Sequence, residues 1–261
     1  METNRRGFLK IGGICALGLG ALPVVDGLAL AKDLPRVSPN PEALAGKKWA
    51  MVIDMKKCWE KGKPGCKDCM LACHKTHNVP EIPTIKEEIK WIWSDGYEHV
   101  FPGQSSDFTN ENFHDRQFIV MCNHCTNPAC VRVCPTKATF KRPDGVVMMD
   151  FHRCIGCRFC MAGCPFGARS FNFRDPRPFI QNELNATFPT RERGVVEKCN
   201  FCDERLAVGK LPACVEACKC GALCFGDQTD PKSDVRKLLS SRFTIRRKPD
   251  LGTEPNVYYI I

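Results

Sequence analysis

Cysteine spacing constrains this chain more than any other feature. Nineteen of its 261 residues are cysteine, and sixteen of them fall into four groups of four. The third group is the most regular: Cys154-x2-Cys157-x2-Cys160-x3-Cys164, followed at once by Pro165. Three thiolates on a short, tight loop converge on three corners of a [4Fe–4S] cube. The fourth, set before a proline that ends the loop, is sent towards a neighbouring cube. A chain built on this spacing is organised around iron–sulfur clusters and carries electrons.

The second group repeats the pattern with a wider second spacing: Cys122-x2-Cys125-x4-Cys130-x3-Cys134-Pro135. Between the two groups, Ala138-Thr139-Phe140 and Val146 to Met149 read as strands. They are joined through Pro143-Asp144-Gly145, where the Asp-Gly step is a strong hairpin signal. Residues 122–164 therefore read as a complete two-cluster ferredoxin module. Zinc and disulfide readings fit it poorly, because two such runs ending in Cys-Pro stand in tandem.

The other two groups are less regular. Cys66-x2-Cys69-x3-Cys73 supplies three positions, and the first falls to Cys58, beyond an insertion from Trp59 to Gly65. Cys58 is supported by an internal repeat: Met51-Val52-Ile53-Asp54-Met55-Lys56-Lys57-Cys58 echoes Val147-Met148-Met149-Asp150-Phe151-His152-Arg153-Cys154. A purely structural Cys58 is the alternative. The fourth group is Cys199-x2-Cys202-x11-Cys214-x3-Cys218, and its long gap predicts a short helix from Asp203 to Ala207 that stops near Gly209. Lys219 follows Cys218 where the inner groups have proline, and Cys220 and Cys224 lie close by. The C-x3-C spacing selects Cys218. Cys220 stands as the alternative ligand or as a partner for Cys224, and Cys224 reads as a small buried apolar residue.

Few long periodic helices and many Gly/Pro-rich loops indicate that cofactors scaffold the interior, so a cluster-free chain should fold poorly. At the N-terminus, Asn4-Arg5-Arg6-Gly7-Phe8-Leu9-Lys10 reads as a twin-arginine export signal. An interrupted apolar stretch from Ile11 to Leu30 follows, with an Ala29-Leu30-Ala31 cleavage site. The mature chain would begin at Lys32, and a retained membrane anchor is the alternative. Cys15 lies in this segment and has no role assigned. Export of a folded chain lets clusters be loaded before the thiols reach an oxidising space. The expected location is therefore the periplasm, peripheral to the inner membrane.

Four runs carry a resemblance: Cys122-Asn-His-Cys125-Thr-Asn-Pro-Ala-Cys130, Cys154-Ile-Gly-Cys157-Arg-Phe-Cys160, Cys199-Asn-Phe-Cys202-Asp and Pro212-Ala-Cys214-Val-Glu-Ala-Cys218. From about Trp49 onwards the chain resembles the four-cluster ferredoxin-like subunits of bacterial membrane-associated oxidoreductases. Dimethyl sulfoxide reductase, formate dehydrogenase and the nitrite-reductase quinol dehydrogenase have such subunits. The subfamily it most resembles is the periplasmic O subunit of the Dsr sulfite-reduction membrane complex. That likeness rests on the widened first group, on Cys73-His74-Lys-Thr-His77-Asn78-Val79-Pro80 and on Gly252-Thr-Glu-Pro-Asn-Val-Tyr-Tyr259.

The resemblance implies an α+β fold of two pseudo-symmetric bacterial-type 2×[4Fe–4S] ferredoxin modules with extended loops. It divides the chain into a signal (1–31), a first part of the outer module with its insertion (32–121), the inner module (122–175), a second part of the outer module (176–228) and a C-terminal docking tail (229–261). It also implies four [4Fe–4S] clusters. Cys58, Cys66, Cys69 and Cys218 would hold one, and Cys73, Cys199, Cys202 and Cys214 the next. Cys122, Cys125, Cys130 and Cys164 would hold the third, and Cys134, Cys154, Cys157 and Cys160 the fourth.

No nucleotide-binding or nucleophile motif accompanies the cysteines, so no substrate site and no catalytic residue is expected. His74 and His77 flank a cluster loop, and His124 lies between Cys122 and Cys125, placed to donate to a sulfur. The formal charge is +9. Arg132, Lys137, Arg153, Arg158 and Arg169 crowd the loops, and Arg242, Arg246, Arg247 and Lys248 the tail. In an exported protein this charge suits acidic partners or lipid headgroups, and nucleic acid is not an expected partner. Residues 32–261 contain no membrane-spanning apolar run, so contact with a quinone pool would need a membrane partner. Val257-Tyr258-Tyr259-Ile260-Ile261 suits either a docking strap or an edge strand of the chain's own core.

Two functions follow. One is an electron relay between a polytopic quinone-handling membrane subunit and a multihaem c-type cytochrome in a respiratory, sulfate- or sulfite-reducing complex. The other is the electron-transfer subunit of a molybdopterin-dependent reductase or dehydrogenase. The chain's own export signal favours the relay.

Overall fold

The run Trp49-Ala50-Met51-Val52-Ile53 is apolar at every position, the pattern of a strand buried on both faces. In the computed structural model, which describes residues 40–62, 65–109, 113 and 115–261, it forms β1 (Trp49–Asp54). The predicted export signal, Cys15 and the predicted cleavage site lie outside the described residues. Helices α1 (Met55–Lys61) and α2 (Asp68–Thr76) follow, then β2 (Ile92–Gly96), α3 (Tyr97–Val100) and β3 (Gln117–Met121). The inner cysteine region contains α4 (Ala129–Arg132), β4 (Thr139–Lys141), β5 (Val147–Met149) and α5 (Phe159–Ala162). Beyond it come β6 (Ser170–Phe171), β7 (Val196–Glu197), α6 (Asp203–Leu206), α7 (Ala213–Glu216), β8 (Leu223–Asp227), α8 (Asp234–Ser241) and β9 (Val257–Ile260). This mixture of short helices and small sheets is α+β, and no described helix is long and apolar enough to cross a membrane.

β1 is the central strand of the largest sheet, antiparallel to β8 and parallel to β9. Successive side chains point to opposite faces. Trp49, Met51 and Ile53 enter the main core with Phe101, Phe118, Phe201 and Tyr259, while Ala50 and Val52 join Val235 and Ile260 in a smaller core under α8. Each fully buried aliphatic side chain contributes roughly 1.5–3 kcal/mol. Strands from three widely separated segments of the chain therefore share one sheet. Val257–Ile260 is its edge strand, and Tyr259 is bridged on its other side by Ile245.

Of the two uses the C-terminal residues suited, the structure shows the internal one. Val257, Tyr259 and Ile260 are buried, and the Tyr259 hydroxyl donates to the Ile119 carbonyl at 3.1 Å. The basic stretch before it is also anchored. Arg247 is buried with Nε donating to the Val100 carbonyl at 3.2 Å, and Lys248 Nζ donates to the Pro165 carbonyl at 2.7 Å.

The hairpin read from Asp144-Gly145 is present. Thr139 faces Met149 and Lys141 faces Val147 across β4 and β5. The turn closes with Gly145 N–H on the Arg142 carbonyl at 3.1 Å, and Gly145 takes φ +86°, where a side chain would strain the backbone. The predicted helix after Cys202 is α6, and Gly209 ends its trailing turn at φ +76°.

Candidate metal centre: four groups of thiols

Ligand loops must curl tightly enough for sulfurs and N–H groups to converge, and the backbone shows the strain. His124, Lys137, Arg158, Phe201 and Cys202 all adopt positive φ between 40 and 61°. Such conformations cost non-glycine residues roughly 1–2 kcal/mol each, and they concentrate where surrounding structure enforces them. Gly156, in the Cys154–Cys157 loop, has φ +68°, and a Cβ there would meet the Gly194 carbonyl oxygen at 2.5 Å. The loop N–H groups point at sulfur: Ala222 to Cys218 at 3.3 Å, Thr139 to Cys134 at 3.4 Å, Ala213 to Cys202 at 3.4 Å and Phe201 to Cys199 at 3.5 Å. These hydrogen bonds favour thiolates.

The sixteen thiols gather in four neighbourhoods. Cys58 lies on α1 beside Cys66, Cys218 and Cys220, and Cys69 meets Cys218, Cys58 and Cys66. The insertion after Cys58 is accounted for by the last turn of α1, where Trp59 packs on Phe113 and Phe118 and under the Arg116 guanidinium. Cys73 faces Cys202, Cys199 and Cys214. Cys125 faces Cys122, Cys130 and Cys164. Cys134, Cys154, Cys157 and Cys160 line one cavity with Thr139, Met149 and Val196. Cys224 stands apart, on β8 against the smaller core.

Burial, then neighbouring thiols, pushes Cys58 up to about 11 and Cys69 and Cys125 up to about 12; the buried Cys73 and Cys214 also rise. Thiolates crowded in this way repel one another until a cation sits among them, which inverts the balance. None of the described cysteines is paired in a disulfide.

The neighbourhoods also form a sequence. Cys69 and Cys73 lie one turn apart on α2, and Cys214 feels Cys69, linking the first group to the second. Cys199 feels Cys122, linking the second to the third. Cys160 feels Cys130, linking the third to the fourth. The ends reach the surface at Cys66 and Cys157, while Cys73, Cys199, Cys202 and Cys214 are buried.

Charged and polar groups line this path. Arg169 is 5 % exposed and sits beside Cys130, Cys160 and Cys122, with Nη1 donating to Thr139 Oγ1 at 3.0 Å. A guanidinium so buried requires compensating negative charge, and here its neighbours are sulfurs. His124 is fully buried and stacked on Phe201 with ring centroids 3.7 Å apart. Its Nδ1 accepts from Val147 N–H at 3.0 Å, which leaves the proton on Nε2. Burial, helped by Lys198 and Arg169, holds its pKa well below the usual imidazole range. Nδ2 of Asn123, in the Cys122–Cys125 loop, is buried without a protein hydrogen-bond partner, whereas Nε2 of His124 faces the Cys199 backbone carbonyl. Buried donors are nearly always satisfied, and cluster sulfur is the acceptor this loop is built to bring. The residues therefore fit a [4Fe–4S] group, with ordinary electron-transfer chemistry supplied when it is bound.

His77 lies against the second group. Nδ1 is 2.9 Å from the Cys73 carbonyl oxygen and 3.6 Å from its sulfur, Nε2 is 2.8 Å from Glu204 Oε1, and the ring stacks on Trp91. Burial pushes the Glu204 pKa up, but the hydrogen bond from His77 leaves it below the usual range.

A family profile for the 4Fe-4S dicluster domain matches residues 116–176 and 183–228. Iron-sulfur subunit 1 of an Hdr-like menaquinol oxidoreductase from Archaeoglobus fulgidus is 40% identical over 98% of this chain and 97% of its own length. The iron-sulfur cluster-binding subunit of menaquinone reductase from Nitratidesulfovibrio vulgaris is 37% identical over 82% of this chain and 88% of its own. A tetrathionate reductase subunit from Salmonella typhimurium is 34% identical over 100% of this chain and 89% of its own. The chain belongs to this family of [4Fe–4S] electron-transfer subunits.

Several neighbours of the thiols in this family member carry no sequence signal. Arg169 reads as one more surface cation until the fold buries it. Lys198, 2 % exposed, donates from Nζ to the carbonyls of Val147 and Cys199. Arg191 and Glu197 form a fully buried ion pair at 2.7 Å, where Glu197 also accepts from Trp91 Nε1 at 2.9 Å and Asn172 Nδ2 at 2.6 Å. Arg191 Nη2 donates to the Asn78 carbonyl at 2.8 Å, so this network ties the loop after α2 to β7.

Proposed function

We propose that this chain is the periplasmic electron-transfer subunit of a respiratory membrane complex. It carries four [4Fe–4S] clusters in line on two pseudo-symmetric modules and turns over no substrate of its own. The sixteen cysteines are the ligands, in the four sets the family resemblance implies. The observation that carries this reading is the unbroken order of sulfur neighbourhoods, Cys69 to Cys214, Cys199 to Cys122 and Cys130 to Cys160, from one exposed end to the other. The internal repeat supports two modules: Asp54 Oδ1 accepts from Lys57 N–H at 2.9 Å, and at the equivalent positions Asp150 Oδ1 accepts from Arg153 N–H at 3.3 Å.

The electrons pass between a polytopic quinone-handling membrane subunit and a multihaem c-type cytochrome, in a sulfite- or sulfate-reducing complex of the Dsr type. Relatives named for menaquinol and menaquinone chemistry support the quinone side. At the Cys157 end, Ile155 and Phe159 are 67 and 59 % exposed, and Arg132, Lys137, Arg153 and Arg158 belong to the same loops. An apolar centre flanked by basic residues suits a membrane-embedded partner. The twin-arginine signal supports export of the loaded chain, and the docking role assigned to 229–261 passes to surfaces outside β9.

The second reading, a subunit of a molybdopterin-dependent reductase, is favoured by the likeness to the tetrathionate reductase subunit and to a selenate reductase subunit from Mesobacillus selenatarsenatis, the latter 35% identical over 99% of this chain and 97% of its own length. Purifying the complex in mild detergent and assaying haem, molybdenum and iron separates the two. Stoichiometric c-type haem without molybdenum is the expected result. Stoichiometric molybdenum transfers the chain to the second reading.

A further inference from the structure

Cys218 has a neighbour that the other fourth-position cysteines lack. Cys220 Sγ lies 3.6 Å from Cys218 Sγ and also beside Cys58, so five thiols converge on the outermost group. The corresponding segment of the inner module shows what this position does. Cys134-Pro135-Thr136-Lys137 and Cys218-Lys219-Cys220-Gly221 have matching backbones. Lys137 and Gly221 both take positive φ, 56 and 64°, and their N–H groups donate to the carbonyls of Cys134 and Cys218 at 3.3 and 3.0 Å. The next residues, Ala138 and Ala222, each accept an N–H at 2.8 Å, from Asp150 and Asp54.

In both segments the side chain two residues on faces the fourth-position sulfur. In the inner module it is the Thr136 hydroxyl, 3.8 Å from Cys134 Sγ. A neutral hydroxyl is a poor substitute for a thiolate on iron. In the outer module it is a thiol. Two restraints on that thiol are also lifted. Pro135 fixes its own φ, whereas Lys219 is exposed and unrestricted. Lys137 carries a side chain at its left-handed position, whereas Gly221 does not and opens onto free space.

We propose that Cys220 is an interchangeable ligand of the outermost cluster, able to take the iron held by Cys218. The proposal rests on the cluster reading above. In the exchange, a bond forms between iron and Cys220 sulfur as the bond to Cys218 sulfur breaks. The Cys220 thiol proton passes to the departing Cys218 thiolate. No electron moves and no outside reagent is required.

The test uses the full chain, assembled anaerobically, with iron and sulfide assayed and the reduced protein followed by EPR. Cys218→Ala and Cys220→Ala should each retain the parent iron content, Cys218→Ala with an altered signal from one cluster. The double variant should lose that cluster's iron. Cys134→Ala, which has only Thr136 beside it, should lose iron as a single variant. Loss in Cys218→Ala equal to that in the double variant overturns the proposal. Full iron in Cys134→Ala would instead overturn the cluster reading beneath it. Should Cys218→Ala fail to fold, chelator challenge of Cys220→Ala decides: the outermost iron should leave at least about threefold faster than in the parent, because a departing Cys218 has no replacement. Equal rates overturn the proposal.

Discussion

The inner and outer cysteine regions use the same local devices to different degrees of rigidity. The inner module is continuous in sequence, closed by a hairpin and punctuated by Pro135 and Pro165. The outer one is assembled from α1, α2 and the segment around α6 and α7, nearly 130 residues apart between Cys73 and Cys199. What the outer region lacks in local restraint it obtains from the sheet. β1 leads into Cys58, β8 follows Cys220, and the two strands are hydrogen-bonded neighbours. A ligand loop can be held by its own turns or by the elements at its ends. The second arrangement leaves room for an insertion, as after Cys58, and for an unrestricted residue, as at Lys219.

The largest expected effect removes the tie between the two parts of the outer region. Arg191→Met leaves Glu197 buried and unpaired beside Trp91 and Asn172, and should cost about 3–5 kcal/mol. Thermal unfolding followed by circular dichroism should show a drop in Tm, with the outer clusters lost first. An unchanged Tm would mean that the outer region is held by its sheet alone.

Next is the pH response of the metal-free chain. Burial and neighbouring thiols raise Cys58 to about 11 and Cys69 and Cys125 to about 12, from an ordinary 9.0. Between these values the folded chain keeps protons that the unfolded chain has lost. The stabilisation is therefore complete below 9.0 and disappears as pH rises towards 12. The residual folded elements of the metal-free chain, followed by circular dichroism, should be lost across that window. Those of the cluster-loaded protein should not, because its sulfurs are already thiolates.

Arg169 distinguishes the regions electrostatically, since its sulfur neighbours all belong to the inner module. Arg169→Gln should lower the potentials of the two inner clusters by about tenfold in the reduction equilibrium, ~59 mV for one electron, and leave the outer two in place. Redox titration monitored by EPR reads both. Movement of all four would indicate a general loss of charge rather than a local cation.

The smallest effect is expected for Cys220→Thr, which gives the outer segment the inner module's hydroxyl. Resting iron should be unchanged, and the outermost potential should move less than the inner ones do in Arg169→Gln. Loss of iron at rest would mean that Cys220 is the resident ligand.

Much of this arrangement is legible in the sequence because it is local. The 139–149 hairpin follows from Asp144-Gly145, and α6 from the residues after Cys202. The groupings of Cys122, Cys125 and Cys130, and of Cys154, Cys157 and Cys160, follow from loop spacing. The rest depends on distance along the chain. That Val257–Ile260 pairs with β1 is written in neither segment, and an apolar C-terminal strand suits a partner's surface as well as its own sheet. The buried charges are hidden for another reason. Arg169, Arg191, Lys198 and Glu197 belong to residue types that are seldom fully buried, and only the fold shows what compensates them.

The most direct test is iron and acid-labile sulfide per chain, measured on anaerobically purified protein. Four thiolate-held cubes require about sixteen of each. Stoichiometric zinc or oxidised thiols with almost no iron would contradict the relay altogether.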